Sequence, residues 1–288
     1  MRSPPSLHCS DLCPLNVFGT QASDRVIRAI LREVESRTDF TEAEVLRFID
    51  ELRRQVVLTI AQGGEINPLT LDRVKGAIDV LVARAEETIT STLTANEKRV
   101  FTKGIETVDA ALKAGGIRIA LPYLDETEFN LYRRYSADLI TNLSAYARGQ
   151  IKQELVLATT AQKPINEVIA SIGRSLDDPS IFATVAERAR VITATEMGRI
   201  FTTSTLARGK QVAETIPMVK EWKHSGLGIP RLGHLALDGV RVRVGEPFIL
   251  EGADGVTYEV DGPLDPQLPA SEVVSCRCRV LIYAEKLL

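Results

Sequence analysis

Cys276 and Cys278 stand two positions apart near the C-terminal end of a 288-residue chain. On an extended segment this spacing turns both thiols to one face and sends Arg277 and Arg279 to the other. Two thiolates joined by an imidazole such as that of His234 suit zinc, which takes soft sulfur and nitrogen donors in a tetrahedron. His234, Cys276 and Cys278 are thus the candidate metal ligands, and a structural zinc is the cofactor they would hold. The fourth ligand is open. His224 and Asp238 are candidates, and so is the distant group His8, Cys9 and Cys13, which would staple the N-terminal arm to the C-terminal region. Reduced, packed cysteines are the competing reading, and a disulfide formed after lysis is a third. Four cysteines in two tight pairs are too few for a disulfide scaffold in a chain of this length.

Other reactive residue types occur without the spacing that catalysis needs. His224-Ser225-Gly226 places an imidazole and a hydroxyl in adjacent positions, from which they do not face each other productively. The segment FTTSTL, Phe201–Leu206, superficially resembles the Ser-Thr-Ser strand of ADP-ribosyltransferases, yet it lies in a helical pattern and no Glu-x-Glu follows it. The chain carries no GxSxG elbow, HExxH, Walker loop or zinc-deaminase signature. The expectation is a protein that is not an enzyme, with an ADP-ribosyltransferase-like or hydrolytic activity as the alternative.

Charge narrows the partners. With 35 Lys+Arg against 38 Asp+Glu the net charge is −3, so the chain as a whole has no drive toward nucleic acid or anionic lipid. A basic site must be local. Arg188, Arg190, Arg199, Arg208 and Lys210, opposed within that run only by Glu196, give residues 188–210 an excess of four positive charges. Such a run is either a solvated helix face or a salt-sensitive contact with DNA or an acidic protein surface. Aromatics at 5% argue against base-stacking platforms spread over the molecule. No stretch approaches the roughly 18–20 apolar residues of a membrane-spanning helix, and the N-terminus lacks the apolar core of a secretory signal. No membrane partner is expected, and the chain reads as soluble and made in a cytoplasm.

The elements that must position these residues follow from periodicity. Hydrophobic residues at 44% and charged residues at 25% are ordinary for a folded chain. Residues 1–21, with Pro4, Pro5 and Pro14, predict an extended arm. Helical spacing predicts one helix over about 24–37, capped by Ser23 or Asp24, and a second from the Thr41/Glu44 capping box to Gly63-Gly64. Further helices are expected over about 70–93, 96–114, 125–157, 165–176 and 181–209. In the fifth of these seven, Phe129, Tyr132, Ser136, Leu139, Leu143 and Tyr146 line one stripe, read as a bundle seam. Beyond Pro217, glycine and proline punctuate β-prone pieces, with strands expected at Val219–Lys223, Val240–Val244, Val256–Val260 and Cys278–Ile282. Asp238-Gly239 reads as a two-residue hairpin turn, Trp222 as a core anchor, and Arg231 as an ion-pair partner for Glu196. The expected fold class is α+β: an elongated N-terminal helical body over 22–215, then a small β-rich C-terminal module over 216–288.

Taken in order, residues of the second half form one set. A helix carrying Thr195-Glu196 leads to Trp222, then to Arg231-Leu232-Gly233-His234, Asp238-Gly239, Pro247-Phe248, Gly262-Pro263 and finally Cys276-Arg277-Cys278. This order and spacing, over roughly residues 183–282, resembles the phage Mu F-like family of minor head proteins, also called head morphogenesis proteins. No one motif is specific, and it is the joint order over about a hundred residues that carries the resemblance. Ala194 stands where the family commonly has Arg before Thr-Glu, and the stretch GLGIPRLGH stands where it often has a charged run before the His. The resemblance implies a minor capsid protein of a tailed phage or prophage, in the head interior or at the portal vertex of the virion. It would assist head assembly, genome packaging or ejection. The implied partners are the portal protein, a major capsid or scaffold protein, and packaged double-stranded DNA; the basic run is the candidate contact with DNA or with an acidic portal surface.

Overall fold

The computed structural model describes residues 21–64, 67–124, 126–226 and 230–287. Five helices come first: α1 (Gln21–Gln62), α2 (Pro68–Ala114), α3 (Glu126–Ala161), α4 (Ile165–Ile172) and α5 (Ile181–Ala213). A turn-rich region follows, with β1 (Met218–Lys223), α6 (Leu232–Ala236), β2 (Arg241–Arg243), β3 (Phe248–Glu251), β4 (Thr257–Val260), α7 (Ala270–Val273) and β5 (Arg279–Ala284). The fold is α+β, in the sequence blocks that the periodicity predicts. None of the described helices is long and apolar enough to cross a membrane. Of the expected arm over 1–21, residues 1–20, with His8, Cys9 and Cys13, lie outside the described residues, and Gln21 opens α1.

Two expected helix breaks are absent. α1 runs through Ser23, Asp24 and the Thr41/Glu44 pair, and α2 runs through Asn96. No glycine or proline lies near either point, and the polar side chains find partners within a helical context. The Ser23 hydroxyl donates to the Ala111 carbonyl at 3.0 Å, and the Asn96 amide donates to the Thr92 carbonyl one turn back at 2.9 Å. These polar positions mark a different boundary. The chain divides into two compact units at Arg37/Thr38, Asn96/Glu97, Asn130/Leu131 and Ala194/Thr195. The units therefore do not part at 215/216, because the strands share their core with helix segments.

The all-helical unit comprises Thr38–Asn96 and Leu131–Ala194. Val45, Ile49, Leu52, Val56 and Ile60 of α1 are buried at steps of three and four residues, as an amphipathic helix requires. From α3 the buried stripe is Ser136, Ile140, Leu143, Ala147 and Ile151. It overlaps the predicted seam at Ser136 and Leu143, whereas Leu139 and Tyr146 sit half-buried at its edge.

The other unit contains all five strands. β2, β1 and β5 form an antiparallel sheet in that order, with Val219 opposite Arg243 and Trp222 opposite Val280. β3 and β4 form a separate hairpin, Phe248 facing Val260. β5 reads RVLIYA because both of its faces are covered. Val280, Ile282 and Ala284 join Trp222, Phe248, Leu250 and Val260 in a core that also takes Val108 and Leu112 of α2 and Val212 of α5. Leu281 and Tyr283 point the other way, onto Ile27 and Ala111. β3 was not expected from the sequence, since Pro247 precedes it and only four residues alternate. In the same unit α2 and α5 approach closely at Gly104: a Cβ there would stand 2.7 Å from the Phe201 carbonyl, so only glycine fits.

Candidate metal centre

α6 presents His234. The Arg231 guanidinium, just ahead of this helix, donates to the carbonyls of Ser271 and Val274 at 2.6 Å each and so lashes α6 to α7. Gly233 lets α6 settle against β3, because a Cβ at that position would collide with the Glu251 carbonyl. Cys276 and Cys278 lie in the extended segment entering β5, after a turn in which Ser275 adopts φ +59°. The expected alternation holds: both cysteines are buried and Arg277 is exposed. The strand itself begins one residue later than predicted, at Arg279. Thr195 of α5 accepts the Ser275 N–H at 3.4 Å, tying this segment to the helix.

The three predicted ligands converge. His234 Nδ1 lies 3.5 Å from the Cys276 sulfur and 3.6 Å from the Cys278 sulfur. All three ligand atoms fall within 4.8 Å of one another, and the three residues are no more than 3% exposed. On the far side of the ring, Nε2 stands 3.0 Å from the Glu272 carboxylate, which is itself buried. Trp222 packs edge to face against both His234, at 5.3 Å between ring centroids, and Phe248, at 5.6 Å. The Trp222 indole N–H is buried and makes no hydrogen bond among the described residues.

The two thiols differ electrostatically. A hydrogen bond from Cys278 lowers the Cys276 thiol to about 4 against the opposing effect of burial. Cys278 is pushed up by the same hydrogen bond, whose proton it supplies, and by burial. One sulfur thus favours the thiolate and the other the thiol. Two soft sulfurs and one imidazole nitrogen on a common point are the donor chemistry of a thiophilic divalent ion.

The other predicted residues are placed as follows. His224 and Asp238 do not join the cluster. His224 Nδ1 accepts the Gly226 N–H at 3.0 Å, while Asp238 accepts the His224 backbone N–H and holds Lys223 at 2.9 Å each. Asp238-Gly239 is not a hairpin turn between paired strands: it follows α6, and Gly239, with φ +79°, returns the chain so that its N–H reaches the Trp222 carbonyl. Arg231 does not pair with Glu196. Glu196 and Arg199, one turn apart on α5 and both buried, bond each other at 2.9 Å, and Arg231 stays with α7. Phe248 lies under Trp222, and Pro263 is buried in the turn before α7.

The basic run is largely neutralised within the fold. Arg208 is buried and forks onto Asp109 at 2.7 and 2.9 Å, Lys210 binds Asp261, and Arg190 binds Glu187 and Glu42. Arg188 stacks over Tyr146 with its guanidinium carbon 4.3 Å from the ring centroid. The segment FTTSTL is an α5 helix turn: Ser204 and Thr205 are buried and bond back to carbonyls of that helix. Glu272 is the site residue that sequence reasoning missed. An acid in a four-residue helix carries no local signal of burial. The chain matches no family model, no curated protein and no solved structure.

Proposed function

We propose that this chain is a minor capsid protein of the head-morphogenesis type, associated with the portal vertex of a tailed phage or prophage and assisting head assembly, packaging or ejection. Its C-terminal region would be closed by one structural zinc ion on His234, Cys276 and Cys278. One observation carries the reading. Residues scattered from Thr195 to Cys278, which carry the resemblance only as an order along the chain, meet around a single core: Trp222 on His234 and Phe248, His234 on both cysteines, Thr195 on the segment before Cys276. An ordered signature that condenses into one physical cluster supports a module selected as a unit. Zinc there would cross-link α6 to the entry of β5, a role that adds folding free energy in regions with few long strands.

The expected partners are the portal protein, a capsid or scaffold protein, and packaged DNA. Co-expression of the full chain with the portal protein of the same genome should give one complex on size exclusion. Separate elution of two folded proteins would overturn the capsid reading. Elemental analysis should return one zinc per chain in the wild type and none in the Cys276→Ser/Cys278→Ser variant.

A second reading has its own support. Cys276, His234 and Glu272 form a thiolate, imidazole and carboxylate series, the arrangement of an activated cysteine nucleophile. The metal reading is favoured because both sulfurs approach Nδ1 equally and Cys276 is only 3% exposed, which leaves a substrate no access. Rapid alkylation of Cys276 by iodoacetamide in the folded, zinc-loaded chain would reverse that preference.

A further inference from the structure

We propose that Glu272 is the positioning residue of this centre: its carboxylate keeps the His234 proton on Nε2 and thereby leaves Nδ1 as the lone pair offered to the metal. The inference rests on the reading of His234, Cys276 and Cys278 as ligands. A neutral imidazole carries one N–H, and which nitrogen holds it is set by the hydrogen bond the other edge of the ring makes. Nδ1 faces two sulfurs at 3.5 and 3.6 Å. Nε2 faces Glu272 Oε2 at 3.0 Å, off the line of a well-formed hydrogen bond, and among the described residues this buried nitrogen makes no hydrogen bond, so the carboxylate is the acceptor nearest to hand. A carboxylate oxygen accepts and does not donate, so the contact is satisfied only with the proton on Nε2.

Both oxygens of Glu272 face donors. Oε1 takes the Ala253 N–H at 2.9 Å, and the Arg231 guanidinium lies 3.8 Å from Oε2. The carboxylate therefore joins α7, the β3–β4 turn and α6 at the one atom that decides the histidine tautomer. Glutamine at this position tests the idea with almost no change of volume. Its amide oxygen would keep the Ala253 N–H, so its NH2 would face Nε2. Nε2 would then have to accept, the proton would move to Nδ1, and the lone pair facing the sulfurs would be lost.

The test uses the full chain, wild type and Glu272→Gln, with cobalt(II) as the spectroscopic probe and zinc affinity read by chelator competition. Long-range 1H–15N spectra of the metal-free proteins report the His234 tautomer. The wild type should show Nε2–H, and Glu272→Gln should shift to Nδ1–H and bind metal about 10- to 100-fold more weakly, with little change in the metal-free Tm. Unchanged metal affinity in Glu272→Gln, while the wild type binds normally, overturns the inference alone. A wild type that takes up neither cobalt nor zinc overturns the metal reading, and this inference with it. Should Glu272→Gln fail to fold, the wild-type spectrum still decides, since Nδ1–H there contradicts the proposed role.

Discussion

The indole of Trp222 meets the His234 imidazole edge to face, the ring planes crossing at 85° with centroids 5.3 Å apart. Because Trp222 is fully buried, this contact fixes the plane of the imidazole and keeps Nδ1 within reach of both sulfurs. Trp222→Ala should lose about 3–5 kcal/mol of stability, the range for emptying a large aromatic site. Trp222→Phe should lose less, about 1–3 kcal/mol. Urea unfolding of the metal-free proteins measures both, and a Trp222→Ala loss under about 1 kcal/mol would deny the core-anchor role.

Metal removal should act through the same residues. At free zinc about 100 times the Kd, an ion bound at the proposed site would stabilise the fold by about 2.7 kcal/mol. Adding chelator should therefore lower the Tm of the wild type and leave that of Cys276→Ser/Cys278→Ser unchanged. A chelator-induced drop of equal size in the variant would place the metal elsewhere. Acidification should release the ion, since the protons that metal displaced from the ligands return.

Lys220 offers a pH test away from the candidate metal centre. It is fully buried on β1, donates to the Asp261 backbone carbonyl at 2.8 Å, and lies 3.3 Å from its carboxylate. Burial pushes the Lys220 ammonium below its usual 10.5, with Asp261 opposing. In the window between that lowered value and 10.5 the unfolded chain binds the more protons, so the Lys220 contribution to stability rises with pH. Asp261 has the complementary dependence. Burial opposes its charge, but Lys210 and Lys220 together hold it below 3.8, so its contribution is present above 3.8 and is lost as the pH falls through the lowered value. The stability of the wild type relative to Lys220→Met should climb toward pH 10.5, and a flat difference would contradict the assignment. Asp261→Asn should cost about 1–3 kcal/mol, less than a wholly buried pair because the Asp261 side chain is 41% exposed.

Gly104 gives a steric prediction. A methyl group there would meet the Phe201 carbonyl at 2.7 Å and the Ser204 side chain, and backbone on α5 cannot yield as a flexible side chain would. Gly104→Ala should therefore destabilise by about 1–3 kcal/mol even though alanine favours helix. Greater stability in thermal unfolding would show that the two helices can part without cost.

Periodicity and punctuation determined much of this protein from the sequence alone. Val45 to Ile60 announce a buried helix face, and Gly63-Gly64 its end. The glycine- and proline-rich stretch after Pro217 announces short strands, and the two-residue step from Cys276 to Cys278 sends both thiols to one side. These are local properties, set by 3.6- and 2-residue repeats that any short window contains. Tertiary structure decided the rest. Thr41 and Asn96 read as helix starts, yet both lie buried inside continuous helices, and Asn96 instead stands at a border between compact units. Arg199 and Arg208 read as a basic face, yet Glu196 and Asp109 neutralise them. Glu272 carries no signal in the sequence, yet the fold buries it 3.0 Å from His234 Nε2, where it also accepts the Ala253 N–H. Partners brought together from distant parts of the chain leave no periodic trace, so the network around the cysteines could form only once the fold had closed.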